Sequence, residues 1–135
     1  MLDALRGVVH GDARIAYALV FGSHARANVH PGSDVDVAIG LSPGVRFSTQ
    51  DIGQLVSRLE SAAGTPVDLV ILEEAPPAIA YRVFRDGVEI MVRDRGALVS
   101  RKARAILEYL DFRPVEELCA SGVLAAARGR QSRTR

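Results

Sequence analysis

Two aspartates separated by one residue are the first candidates for chemistry. The segment DVDVAIGL alternates polar and apolar residues, which predicts a β-strand with Asp34 and Asp36 on the same face. Their side chains would leave that strand about 6 to 7 Å apart at their roots. Carboxylates this close repel each other, and a hard divalent cation such as Mg²⁺ is the usual compensation. The alternative is a pair of solvated acids on the polar face of an edge strand.

A third carboxylate, Asp68, lies in the apolar segment PVDLVIL, residues 66–72, which predicts another strand. An unpaired acid would be costly there, because its neighbours are apolar. If the two strands are neighbours, Asp34, Asp36 and Asp68 can converge. They could then hold two metal ions about 3.5 to 4 Å apart and promote a phosphoryl or nucleotidyl transfer. Asp68 is the candidate general base, and the alternative is a strand-end acid bound by a neighbour.

A glycine and a serine follow the apolar segment IAYALVF. Gly22 allows a close approach of the backbone to a ligand, and Ser23 supplies a hydroxyl and an N–H at a predicted helix start. With Arg26 as a charged donor, this turn is a candidate phosphate site. The alternative is an ordinary glycine-serine turn.

The remaining pattern predicts one α/β or α+β domain over residues 1–127 and a disordered tail over residues 128–135. Strands are predicted at residues 15–22, 34–41, 66–72 and 88–92, with helices before, between and after them. Ser48 is a candidate N-cap, and the last helix is expected to be interrupted near Pro114. The stripe predicted to be buried on that helix consists of Leu98, Ile106, Leu107, Leu110 and Leu118.

Composition limits the class of protein. The chain has 135 residues, of which 48% are hydrophobic and 24% charged, as in a globular domain. Residues 1–92 carry seven arginines against eleven acids, a net charge of −4, whereas residues 93–135 carry ten basic residues against five acids, a net charge of +5. Aromatic residues make up only 5%, which argues against direct nucleic-acid binding. No apolar run is long enough to span a membrane and no signal peptide is visible, so a cytoplasmic location is expected.

The ordered set of Gly22, Ser23, Ala25, Arg26, Ser33, Asp34 and Asp36, written G-S-x-A-R-x(6)-S-D-x-D, resembles the signature of the minimal nucleotidyltransferases of the DNA polymerase β superfamily. Asp68 stands where that family has its third carboxylate. The family commonly has glycine where this chain has Ala27, which would strain the backbone if that position requires a positive φ.

The resemblance implies a small mixed β-sheet flanked by helices, with C-terminal helices. It implies nucleotide binding by Gly22, Ser23, Arg26 and Ser33, and two Mg²⁺ ions held by the three catalytic aspartates, with ATP as substrate. Chains of this size resemble antitoxins of HEPN/MNT toxin–antitoxin pairs. In that family the antitoxin transfers AMP from ATP to a tyrosine of a HEPN-domain ribonuclease toxin, and the two proteins associate.

Two other functions remain open on the sequence. A non-catalytic antitoxin would mask its partner by binding alone, through the C-terminal helix. A nucleotidyltransferase acting on a small hydroxylated molecule such as an aminoglycoside would keep the chemistry and change the acceptor. That third reading ranks lower, because the larger enzymes of that type carry an additional substrate domain.

Overall fold

The computed structural model describes residues 1–22 and 34–121, with side chains described as far as residue 111. Its helices and strands, in chain order, are α1 (Leu2–His10), β1 (Ile15–Phe21), β2 (Val35–Leu41), α2 (Thr49–Ala63), β3 (Val67–Ile71), α3 (Pro77–Asp86), β4 (Val88–Val92) and α4 (Arg95–Ser121). A short 3-10 turn, Leu72–Glu74, joins β3 to the segment before α3. These elements agree with the alternation of strands and helices predicted from the sequence.

The strands form a mixed sheet in the order β3-β2-β1-β4. β1 is antiparallel to both β2 and β4, whereas β2 and β3 are parallel. Parallel neighbours require a crossover connection, and α2 supplies it. The prediction of a small mixed sheet flanked by helices is therefore confirmed. Because β2 and β3 run in the same direction, the residues at their N-terminal ends lie at the same end of the sheet.

Both faces of the sheet are covered by helices. On one face, α1 and α2 pack against the strands through Leu5, Val9, Leu55 and Leu59. On the other face, the buried side chains of α3 and α4 include Ala80, Val83, Phe84, Leu98 and Ala105. The sequence predicted only one apolar face for β2, and this was incomplete because the small residue Ala38 packs in the second core. The domain is thus a three-layer α/β/α arrangement.

Local signals define the ends of α2, the crossover helix. Ser48 Oγ accepts a hydrogen bond from the N–H of Asp51, whose carboxylate accepts one from the N–H of Ser48, so the two residues form a capping box. Gly64 ends the helix in the left-handed conformation, with φ of 72°. The predicted N-cap is therefore confirmed, and α2 is held at the length that returns the chain to the sheet edge.

The long C-terminal helix differs from its prediction in two ways. Leu107 and Leu110 are 68% and 48% exposed, so their predicted burial was wrong; Leu98 is buried as predicted. The predicted interruption near Pro114 was also wrong, because α4 continues to Ser121. A proline lacks the N–H donor and its ring crowds the carbonyl of the residue four positions earlier, which weakens a helix locally, but α4 is continuous past Pro114. The side chain of Leu118 lies outside the described ones, as does the predicted tail. No helix in the described ranges is long and apolar enough to cross a membrane.

A tyrosine and a glycine face each other at the centre of the sheet. Tyr17 on β1 is paired with Gly40 on β2, and its ring occupies the space that a side chain at residue 40 would need. Tyr17 is 1% exposed, and its hydroxyl has no hydrogen-bond partner among the described residues. Burial, followed by the charge of Glu73, raises the pKa of this hydroxyl.

Replacing Tyr17 with phenylalanine should leave the free energy of unfolding unchanged or raise it by up to about 1 kcal/mol, because the change removes a buried hydroxyl that has no partner in the described part of the chain. Urea denaturation of the two proteins measures the difference. Tyr81→Phe, at a half-buried tyrosine that stacks on Tyr109, is the matched control. A loss of 1 kcal/mol or more in Tyr17→Phe would contradict the expectation, since it would reveal a hydrogen bond made by the hydroxyl.

Candidate active site

The end of β1 provides one wall of the candidate site. Gly22 follows directly after Phe21 and has a φ of 77°, a conformation that favours glycine. A Cβ atom at residue 22 would overlap the Oδ2 atom of Asp36. The close approach expected for this glycine is therefore made toward a carboxylate of the chain itself. Only a residue without a side chain allows the turn to lie so near Asp36.

The strand register places two of the predicted carboxylates side by side. Asp36 on β2 is paired with Asp68 on the parallel strand β3, and with Phe21 on the antiparallel strand β1. Directly paired residues project from the same face of a sheet, so the two carboxylates lie in one row. That face is the one covered by α3 and α4, because Phe21, Ala38 and Val70 all pack in the second core.

Asp34 and Asp68 are exposed, whereas Asp36 is half-buried. Asp34 lies immediately before β2, two residues from Asp36, and therefore extends the same face. The expected cost of an unpaired acid in an apolar strand does not arise at Asp68, because β3 is at the edge of the sheet and leaves that carboxylate in water. The alternation of polar and apolar residues thus holds, and the role predicted for Asp68 stays a prediction.

Three carboxylates offer the hard oxygen ligands that Mg²⁺ prefers, so the donor types fit this ion. However, no group of three acidic, histidine or cysteine side chains in the described ranges is close enough to hold a metal ion. The side chains of Asp34 and Asp68 are exposed, so neither is held in place by core packing. Metal binding by these residues therefore stays a prediction.

Helix α3 lies over the face of the sheet that carries the carboxylates and forms a second wall of the site. A pocket of about 210 Å³ is lined by Phe21, Gly22, Asp36, Arg82 and Asp86. The two residues of α3 are four positions apart and therefore lie on one face of the helix. Sequence reasoning missed both of them. The only signal was a pair of charged residues at helical spacing, and that signal did not indicate which strand end the helix would cover.

Three predicted nucleotide-binding residues, Ser23, Arg26 and Ser33, lie outside the described residues, as does Ala27. Their roles, and the effect of alanine at residue 27, stay predictions. The pocket defined by the described residues is consequently bounded by the end of β1, the row of carboxylates and α3.

A mixed sheet between helical layers, with a row of aspartates beside a glycine turn, is the arrangement of a nucleotidyltransferase. A family model described as "Polymerase beta, Nucleotidyltransferase" matches residues 4–96. The chain belongs to this family and is a nucleotidyltransferase.

Individual proteins resemble the chain more distantly. A protein of Methanocaldococcus jannaschii named as a candidate protein adenylyltransferase, MJ0435, is 29% identical over 82 residues, which are 61% of this chain and 83% of that protein. A chain from the crystal structure of a toxin–antitoxin with AMP-PNP has a TM-score of 0.78 at 19% identity, covering 92% of this chain and 98% of its own. A chain from the structure of a tri-AMPylated Shewanella oneidensis HEPN toxin with its MNT antitoxin has a TM-score of 0.71 at 18% identity, covering 93% and 100%. These two structural matches share the fold.

Proposed function

We propose that this chain is a Mg²⁺-dependent protein adenylyltransferase, the antitoxin of a HEPN/MNT pair, which transfers AMP from ATP to a tyrosine hydroxyl of its toxin in the cytoplasm. The observation that carries the proposal is the register that sets Asp36 beside Asp68, two residues from Asp34. A nucleotidyl transfer needs carboxylates in this arrangement, both to bind metal ions and to accept a proton.

In the proposed reaction the acceptor oxygen attacks the α-phosphorus of ATP. A new P–O bond forms as the bond between the α-phosphorus and its bridging oxygen breaks, and pyrophosphate leaves with that bridging oxygen. Asp68 accepts the proton of the hydroxyl, since its exposed carboxylate can be reached by a large acceptor. Asp34, Asp36 and Asp68 would hold Mg²⁺, which neutralises charge on the phosphate when it is bound.

The choice of a protein acceptor is supported by similarity and by the exposed apolar surface of α4. The name of the M. jannaschii relative specifies protein adenylylation. One of the structures with a chain of the same fold is a complex that contains a tri-AMPylated HEPN toxin. The exposed leucines of α4 supply apolar surface that a protein partner could cover. We therefore expect the chain and its toxin to form a stable hetero-oligomer.

The direct test incubates the protein with ATP labelled at the α-phosphate and with the product of the neighbouring gene. The proposal predicts Mg²⁺-dependent label on a tyrosine of that protein, located by mass spectrometry. EDTA should abolish the transfer. In a parallel reaction with an aminoglycoside added, label on the aminoglycoside and none on the partner protein would support the small-molecule alternative instead.

Asp68→Asn should lower the rate of AMP transfer by about 100-fold or more, because the amide cannot accept the proton of the acceptor hydroxyl. The melting temperature should change little, since Asp68 is exposed on an edge strand. The rate is measured with labelled ATP in single-turnover reactions. Asp3→Asn, at an exposed aspartate on the opposite side of the sheet, is the matched control and should retain the wild-type rate.

The main competing function is masking of the toxin by binding alone. The specific observation in its favour is the exposure of Val99, Leu107 and Leu110 on α4. Asp36→Asn distinguishes the two functions in cells that carry the toxin. Full protection by this variant, with unchanged complex formation, would favour masking, whereas loss of protection with an intact complex would favour catalysis.

A further inference from the structure

The pocket beside Asp36 contains a cation on α3. Its walls carry the carboxylates of Asp36 and Asp86 and the guanidinium of Arg82, which is exposed. Asp86 accepts two hydrogen bonds from the neighbouring Arg85, at 2.9 Å from Nε and 2.8 Å from Nη2. No ion pair involves Arg82 among the residues of ranges 1–22 and 34–111. Within those ranges its guanidinium is therefore available to a ligand.

The size and lining of the pocket favour phosphate over a nucleoside. A volume of about 210 Å³ is smaller than the roughly 300 to 1,000 Å³ of sites that enclose a whole small molecule. Of the five lining residues, Phe21 is the one aromatic residue and Arg82 is the one cation, which lies beside the carboxylates of Asp36 and Asp86. Arginine binds phosphate through paired hydrogen bonds in a planar geometry. The pocket therefore fits a phosphate group of a larger ligand.

The order of the strands shows on which side of the reacting phosphorus this cation lies. Asp68 is on β3 and Phe21 is on β1, so they flank Asp36 on opposite sides. In a phosphoryl or nucleotidyl transfer the attacking and leaving oxygens stand roughly in line, on opposite sides of the phosphorus. If Asp68 faces the attacking hydroxyl, the leaving group lies on the β1 side. The pocket that contains Arg82 is on that side.

From this geometry we propose that Arg82 binds the β- and γ-phosphates of ATP and the pyrophosphate that leaves. The inference rests on the proposed nucleotidyl transfer. It gives α3 a residue that binds the substrate directly, in addition to the glycine turn at the end of β1. The guanidinium neutralises charge on the leaving group as the bond to the α-phosphorus breaks. The purely structural alternative is that Arg82 only compensates the negative charge of Asp36.

Direct binding to the protein without toxin tests the proposal. ATP, AMP and inorganic pyrophosphate are titrated by calorimetry in the presence of Mg²⁺, against wild type, Arg82→Gln and Arg82→Lys. Arg82→Gln should bind ATP and pyrophosphate about 10- to 100-fold more weakly, with AMP unchanged, because only the first two carry the phosphates that Arg82 contacts. Arg82→Lys should recover part of the lost affinity, since it keeps the charge and loses the paired geometry. Arg95→Gln, which removes an exposed arginine outside the pocket, should bind all three ligands as wild type does.

Equal weakening of ATP and AMP in Arg82→Gln, or no weakening of either, would overturn the inference while leaving the proposed function intact, provided that wild type binds ATP. A wild-type protein that binds no ATP would overturn both. Enzyme kinetics give an independent readout. Inhibition by added pyrophosphate should be weaker in Arg82→Gln than in wild type, which a role limited to compensating Asp36 does not predict.

Discussion

Asp36→Asn should reduce the rate of AMP transfer about 1,000-fold. This corresponds to a loss of about 4 kcal/mol of transition-state stabilisation, because each 1.4 kcal/mol changes the rate tenfold. Asp36 is the central carboxylate of the proposed site, because it pairs with Asp68 on one side and borders the Gly22 turn on the other. Asparagine has nearly the same shape, so the strand and the pocket should persist. The expected defect is therefore in the chemical step.

Single-turnover transfer of labelled AMP measures that defect, and thermal unfolding shows whether the fold survives. Asp51→Asn is a suitable control, because Asp51 is a partly buried aspartate in the capping box of α2. Helix α2 lies on the other face of the sheet, away from the proposed site. It should lose some stability and keep its transfer rate. A rate for Asp36→Asn within tenfold of wild type would remove the central carboxylate from the mechanism.

Gly22→Ala is the second change with a large expected effect, and it should impair both stability and activity. Alanine is strained at a φ of 77°, and its Cβ would overlap the Oδ2 atom of Asp36. Together these should lower the free energy of unfolding by about 2 to 4 kcal/mol. The turn or the carboxylate must move to relieve the overlap, so AMP transfer should fall to a small fraction of the wild-type rate.

Two other glycines separate backbone strain from overlap. Gly44 and Gly64 have φ values of 80° and 72°, and a Cβ at either would meet no atom within 4 Å. Gly44→Ala and Gly64→Ala should therefore cost only about 1 to 2 kcal/mol each, from the backbone conformation alone, and should retain activity. Chemical denaturation and transfer assays on all three variants make the comparison. Equal effects of the three changes would show that the contact with Asp36 is unimportant.

The local elements could be predicted because their signals are contained in short segments. Alternation in DVDVAIGL predicted β2, and Ser48 was predicted as the N-cap that starts α2. Each of these depends on contacts within a few residues. The three aspartates could be selected for the same reason, since their types and spacing are local properties.

Burial along α4 could not be predicted in the same way. Leu107 and Leu110 have the apolar character of core residues, yet they are exposed, while Arg101 is 6% exposed. The guanidinium of Arg101 donates two hydrogen bonds to the carbonyl oxygen of Leu72, at 3.1 Å from Nε and 2.8 Å from Nη2. Which face of a helix is covered depends on where α3 and the sheet lie, and apolar periodicity alone does not contain that information.

The sequence by itself determined the class of chemistry, through the spacing of Asp34 and Asp36 after a glycine turn, and the alternation of strands and helices. The tertiary structure decided that Asp68 stands beside Asp36 and that Arg82 of α3 lines a pocket with Asp36. The physical reason is that strand order and helix placement arise from packing between residues far apart in the chain. Local spacing selects the reactive groups, whereas only the packed sheet determines which of them meet.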